Sequence, residues 1–211
     1  MLTEIVFILD ESGSMKGLEN DVIKGYNTLL NKQKKEKGSA YISTVTFSTY
    51  SNVIHNRVDI KNVKAMEMEE YNPGGLTALL DAIGNSIKYI SKKQKESKVD
   101  KTLFVIMTDG EENASKKYNY NDIKKMISYY KEKYSWDFMF LGANIDAIKE
   151  GEKISIEDGM AVNFNCDSEG IEINYEVLNE IITNYRRNKS KITKKWKENI
   201  EKDYINRSCK F

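Results

Sequence analysis

Apolar runs of strand length alternate with amphipathic stretches along most of the chain. Ile5-Val6-Phe7-Ile8-Leu9 is continuously apolar, which fits a strand buried on both faces over about residues 3–9. Leu18, Val22, Tyr26, Leu29 and Leu30 then recur at helical spacing up to the charged stretch before Gly38. Tyr41 to Phe47 alternates and is rich in β-branched residues, and Val53 to Val58 answers it after Ser48-Thr49-Tyr50-Ser51, which predicts a hairpin. Further along, the pattern predicts a helix from about Ala78 to Lys93, a strand Thr102–Met107 and a helix from about Asn121 to Lys133. A strand over Trp136 to Leu141, a short helix near Ile145 to Glu150, a weak strand at Ala161 to Phe164 and a long C-terminal helix from about Ile173 follow.

Such alternation is the signature of an α/β fold, a mostly parallel central sheet covered by helices on both faces. The hairpin would add one antiparallel strand at a sheet edge. The chain shows no internal repeat, linker or composition break, so one domain over residues 1–211 is expected.

Composition narrows the function classes. The 211 residues can bury a core without disulfides or structural metals. Lys+Arg 33 against Asp+Glu 32 leaves a net charge of +1, so no global field points to nucleic acid or to an anionic membrane, and any electrostatic function is local. No run approaches the roughly 18 apolar residues of a membrane helix, and MLTEIVFILDES has the character of a strand and not of a signal peptide. Cys166 and Cys209 are too few for a disulfide framework and lack the CxxC or nearby His of a zinc site. The expected location is the reducing cytoplasm.

The candidate chemistry begins where the first strand ends, at Asp10-Glu11-Ser12-Gly13-Ser14-Met15. Three oxygen-bearing side chains alternate across one turn. Strand termination and helix capping explain such a cluster by itself. The placement of further oxygens favours more. In an open α/β sheet, ligands bind outside the carboxyl ends of the parallel strands. Thr77 precedes the second helix after Asn72-Pro73-Gly74-Gly75, and Thr108 and Asp109 end the third core strand. Two carboxylates with hydroxyls, and no His or Cys, are hard ligands suited to Mg²⁺, Mn²⁺ or Ca²⁺. Neutral hydroxyls leave such a cation with positive charge to spare, so it would seek an anionic ligand from outside. Gly13, Gly74 and Gly75 would let the backbone come close to it.

Asp10-x-Ser12-x-Ser14, then Gly74-Gly75-Leu76-Thr77-Ala78-Leu79-Leu80-Asp81, then Val105-Ile106-Met107-Thr108-Asp109-Gly110, resembles the metal-ion-dependent adhesion site of von Willebrand factor type A domains. The order of strands and helices fits that family over about residues 1–185, leaving 186–211 as a basic helical extension. The resemblance implies a three-layer, Rossmann-like fold. It also implies Mg²⁺ or Mn²⁺ held by Ser12 and Ser14 directly, and by Thr77, Asp10 and Asp109 directly or through water. Water or a carboxylate of a partner protein would complete the ion's shell. Intracellular bacterial or phage members of the family serve in assemblies or stress responses, and that group is the one expected here.

Glu11, Tyr71, Leu76, Glu111 and Asn144 flank these motifs and are candidate partner contacts, and Glu112 beside them could tune the metal's affinity, although solvated loop residues are the commoner reading. Asp81 falls in the first turn of a helix, where it suits the helix dipole. His55 has no local partner and is taken as structural or exposed. The basic stretch from Arg186 to Lys197 suits phosphate or an acidic surface less well than a solvated helix end. A non-enzymatic, metal-dependent binding module therefore stands first. The alternative is an Mg²⁺-dependent hydrolase using the same oxygens. An aspartate-nucleophile phosphatase would need a second Asp where Ser12 stands, no Lys or His in the motifs offers a general acid or base, and no P-loop pattern is present.

Overall fold

The computed structural model describes residues 1–187 and 192–208; residues 188–191 of the basic stretch, and Cys209, lie outside the described residues. Strands β1 (Leu2–Asp10), β2 (Ser39–Phe47), β3 (Ser51–Asp59), β4 (Lys101–Thr108), β5 (Asp137–Gly142) and β6 (Ala161–Asn163) form one sheet in the order β3-β2-β1-β4-β5-β6. Every neighbouring pair is parallel except β2 with β3, which places the antiparallel strand at an edge as the hairpin pattern predicts.

Helices α1 (Glu19–Lys35), α2 (Leu79–Glu96), α3 (Tyr120–Tyr134), α4 (Ala147–Lys153), α5 (Ser168–Arg187) and α6 (Glu198–Ser208) complete the described chain. Alternate residues of β1 serve two cores. Ile5, Phe7 and Leu9 pack with Tyr26, Leu29 and Leu30 of α1 and with Leu178 and Ile182 of α5. Val6 and Ile8 face the other layer, with Leu80, Ile83 and Ile87 of α2 and Ile123 and Ile127 of α3. Each such side chain contributes about 1.5–3 kcal/mol on burial, which is why the run from Ile5 to Leu9 is apolar at every position.

The C-terminal region departs from the sequence pattern. Instead of one long helix from Ile173, α5 starts at Ser168, and a short 3₁₀ turn at Lys194–Lys197 leads into a separate α6. Asp167 caps α5 by accepting the Gly170 amide at 2.8 Å. A Cβ on Gly170 would lie 1.9 Å from the Asn165 carbonyl oxygen, so the residue that looks like a helix breaker is what permits the tight start.

The solvated basic end is corrected at two of its cations, while Arg187, Lys194 and Lys195 are exposed. Arg186 is buried and donates to the Gln33 carbonyl at 2.6 Å, Gln33 Oε1 at 2.9 Å and the Gly38 carbonyl at 2.8 Å. Lys197, also buried, donates to the carbonyls of Asp158 (2.9 Å) and Ala161 (3.0 Å) and to Asp158 Oδ1 (2.8 Å). Arg186 ties the end of α5 to the end of α1, and Lys197 ties the turn before α6 to β6, so that α6 covers the second edge of the sheet. His55 is structural: it is buried, and its Nδ1 lies 3.1 Å from the Tyr26 hydroxyl and 3.2 Å from Thr44 Oγ1.

From β1 the chain runs outward through β2 and β3, then crosses to β4 on the other side. The carboxyl ends of β1 and β4 are therefore neighbours at the point where strand order reverses, the usual position of a ligand crevice.

Candidate metal centre

Three loops meet at that crevice. The loop after β1 supplies Asp10, Ser12 and Ser14, the loop before α2 supplies Thr77, and the end of β4 supplies Asp109. Asp10 is fixed by two donors, the Ser12 amide to Oδ1 at 2.7 Å and Thr108 Oγ1 to Oδ2 at 2.5 Å. Ser14 Oγ donates to Asp109 Oδ1 at 2.7 Å, Ser12 Oγ lies 3.5 Å from that same oxygen, and the two serine hydroxyls are 3.2 Å apart. Thr77 Oγ1 belongs to this group: a Cβ built on Gly110 would lie 3.6 Å from it and 4.0 Å from Ser14 Oγ. Backbone bonds lock the loops together. Gly13 N donates to the Gly75 carbonyl at 3.2 Å, Gly74 N to that of Glu11 at 2.8 Å, and Glu11 N to that of Phe47 at 2.8 Å.

Asp10, Ser12, Thr77 and Asp109 are each at most 4% exposed, whereas Ser14 is exposed and marks the mouth of the site. Among the described residues no Lys, Arg or His pairs with Asp10, Glu11 or Asp109. Buried carboxylates without a counter-charge are costly, and proteins resolve this by protonation, pairing or a metal ion. Burial accordingly pushes the Asp10 carboxyl above the usual range, the neighbouring Asp109 adds to the effect, and the bonds from Thr108 and Ser12 oppose it. Glu11 is raised by burial as well, against hydrogen bonds from the Asn72 amide and the Asn52 side chain. The donor set of two acids and three hydroxyls therefore fits a small divalent cation. Among the described residues no group of three or more His, Cys, Asp or Glu side chains is placed to hold a metal, so hydroxyls are needed to complete the shell.

Of the five candidate partner contacts, the structure brings three to the surface and corrects two. Leu76 is 55% exposed, and Glu111 and Asn144 are exposed; Asn144 Nδ2 donates to the Asp109 carbonyl at 3.3 Å. Tyr71 is buried beneath the site with its hydroxyl donating to the Asp10 carbonyl, and Glu11 is buried where Asn52 Nδ2 at 3.1 Å holds it. Both serve the loop from below.

Sequence reasoning named Glu112 and Asp81 but missed their role as struts behind the site, and missed Asn113 altogether. Glu112 accepts the Leu80 amide at 2.9 Å at the start of α2, together with the amides of Ala114 (2.9 Å) and Ser115 (2.7 Å). Asp81 reciprocates by accepting the amides of Lys116, Lys117 and Tyr118 at 2.9–3.0 Å, a larger role than complementing the helix dipole. Asn113 Oδ1 accepts the Thr77 amide at 2.9 Å. Acidic and Asn residues crowded between a strand and a helix were the available signal. Cys166 was not expected here either. Its thiol donates to Asp109 Oδ2 at 3.8 Å, and burial with the Asp109 charge pushes it up to about 12, so it stays a neutral thiol.

A family model described as the von Willebrand factor type A domain matches residues 4–180. No curated protein sequence matches the chain. Among solved structures, the chain is similar to proximal thread matrix protein 1 of the mussel byssus with a zinc-occupied MIDAS motif, at 15% identity and TM-score 0.56, over 86% of this chain and 46% of that one. It is similar to manganese-loaded TRAP protein of Plasmodium vivax at 14% identity and TM-score 0.54, over 82% and 72% of the two chains. The pilus adhesin SpaC of Lactobacillus rhamnosus GG, in its open conformation, superposes with TM-score 0.68 at 11% identity, over 87% of this chain and 30% of that one. The chain thus spans less than half the length of the mussel and Lactobacillus proteins, and at these identities the likeness is one of fold. With the family model covering most of its length, the chain belongs to the von Willebrand factor type A domain family.

Proposed function

We propose that this chain is a non-enzymatic, metal-dependent protein-binding module. Asp10, Ser12, Ser14, Thr77 and Asp109 would hold Mg²⁺ or Mn²⁺, with Ca²⁺ as the weaker alternative. The bound ion supplies a positive centre able to take a carboxylate from a partner. The observation that carries this reading is the pair of buried, uncompensated carboxylates, Asp10 and Asp109, facing the serine hydroxyls at the crevice. Metal-occupied relatives of the same fold support it, a zinc-occupied MIDAS motif in the mussel protein and manganese in the Plasmodium one.

The rim adds selectivity. Leu76 stands next to Thr77 with its amide bonded to Thr49 Oγ1 at 2.9 Å, and Tyr50, the residue after Thr49, is 80% exposed. A partner with a bulky apolar side chain beside its Asp or Glu gains burial on this side in addition to the charge contact. We favour binding over hydrolysis, which would need a general acid or base at the site. His55, the chain's single histidine, is committed to Tyr26 and Thr44 under β2 and β3. No helix among the described residues is long and apolar enough to cross a membrane. A cytoplasmic adaptor in an assembly or stress response, of bacterial or phage type, is the setting we propose for this activity.

Selection from a displayed random-peptide library on the immobilised chain in Mn²⁺, with elution by EDTA, tests the proposal. Enriched peptides should carry an invariant Asp or Glu with an apolar neighbour, and Ser12→Ala with Ser14→Ala should abolish their capture while leaving the fold intact. Asp109→Ala should weaken capture more than Glu111→Ala. Peptides without an acid, or retention that EDTA does not touch, would overturn it.

A further inference from the structure

At the opposite pole of the sheet, where α2 and α3 end and β4 and β5 begin, a cavity of about 360 Å³ opens among Lys95, Lys98, Lys101, Tyr130, Tyr134 and Trp136. That volume falls within the roughly 300–1,000 Å³ of small-molecule sites. A column of rings leads outward to it from the core. Phe138 stacks on Phe104 (4.9 Å between centroids), Phe104 on Trp136 (5.3 Å), and Trp136 on Tyr130 (4.3 Å). The column continues to Tyr134, 5.5 Å from Tyr130 and 50% exposed. The Tyr130 hydroxyl donates to Ser91 Oγ at 2.6 Å, which fixes the ring's outer end.

The cations around it are unevenly engaged. Lys101 is held over the Tyr185 ring at 4.4 Å and donates to the Tyr185 carbonyl. Lys133 sits 5.8 Å from the Tyr134 centroid. Lys95 and Lys98 are exposed, and neither takes part in an ion pair among the described residues. Of the acids at this pole, Glu96 pairs with Lys93 at 3.3 Å, and Asp100, which lines the cavity beside the lysines, accepts the Leu2 amide at 2.6 Å. With Lys95, Lys98 and Lys101 set against the single carboxylate of Asp100, the lining is net cationic in a chain whose overall charge is close to neutral.

An exposed ring backed by a stacked column offers a platform for a planar base, and two uncommitted ammonium groups offer point charges for a phosphate. We infer that this cavity binds a nucleotide, with its base stacked on Tyr134 and its phosphate between Lys95 and Lys98. The site lies at the far end of the sheet from Asp10 and Asp109 and works without the metal.

Calorimetric titration of the full chain with AMP tests this, with adenosine and inorganic phosphate as half-ligands. Saturable AMP binding is expected, with each half-ligand at least about tenfold weaker. Lys95→Ala with Lys98→Ala, both on exposed positions, should lower AMP affinity by about tenfold or more, and Tyr134→Ala should do the same while Tyr134→Phe retains it. Asp109→Ala should leave it unchanged. Competition by a short oligoadenylate assigns the base and phosphate to a strand end, and its absence assigns them to the free nucleotide. Lack of AMP binding at millimolar concentration, phosphate binding as tightly as AMP, or indifference to the lysine and tyrosine variants would overturn the inference.

Discussion

Gly75 sits at φ +79°, and a Cβ there would lie 2.7 Å from Thr49 Oγ1. Its carbonyl also accepts the Gly13 amide, so the backbone of this one residue ties the loop after β1 to the loop before α2. Gly75→Ala should therefore destabilise the chain by about 1–3 kcal/mol in urea unfolding and weaken metal binding, whereas Gly74→Ala, with nothing within 4 Å of its Cβ, should be near neutral. Equal effects would show that loop flexibility, and not the left-handed residue, matters. The sequence marks Gly13, Gly74 and Gly75 alike, because composition shows that a turn is present without showing which residue takes the positive φ. The burial of Glu11 was hidden for a related reason. Its amide continues the β pairing to Phe47 beyond the end of the apolar run, so a charged residue that looks like loop is held inside.

Elements with strong periodicity, β1 to β5 and α1 to α3, were legible to within a few residues because burial on one stripe or two faces dictates their pattern. The region after β6 was not. Its cap is an Asp, its first turn contains a glycine, and its cations are buried by hydrogen bonds to distant carbonyls that periodicity does not record. The docking of α6 rests on Ile200, 1% exposed, and Ile200→Ala should cost about 2–4 kcal/mol by chemical denaturation if α6 is integral to the core. A change within experimental error would mean that α6 contributes little. The junction of α1, β2 and β3 makes a pH prediction. Burial lowers the His55 pKa below its ordinary 6.5, and Lys34 acts in the same direction while Glu70 and the Lys64 backbone oppose it. The unfolded chain then binds this proton more readily, so stability is lost as the pH falls from 6.5 towards the folded value. The raised carboxyls of Glu4, Asp10 and Glu11 act in the opposite sense, and they cancel when the wild type is compared with His55→Gln. The wild type should lose more stability than His55→Gln on acidification below pH 6.5, and parallel curves would rule out a buried neutral imidazole.

At the scale of the whole molecule, the sheet brings residues 10 and 109 together by reversing strand order between β1 and β4. The two ends of the sheet then differ in character. One holds buried acids without cations, and the other holds lysines around an exposed aromatic wall. The convergence of Asp10, Ser12, Ser14, Thr77 and Asp109 on one crevice was legible because they lie in short motifs just after β1 and β4 and just before α2. The struts Glu112, Asp81 and Asn113 were not, since they act on backbone amides whose positions depend on the finished fold. We propose that the buried acids at the β1 and β4 ends hold a divalent cation. Titration of the metal-free chain with Mg²⁺ and Mn²⁺, by calorimetry and thermal melting and with Asp10→Ala as control, tests it most directly. Saturable binding at one site should be seen, with stabilisation of about 2.7 kcal/mol at a hundredfold excess over Kd and loss of both effects in the variant. A folded wild type that binds neither ion, or one whose binding survives Asp10→Ala, would contradict it.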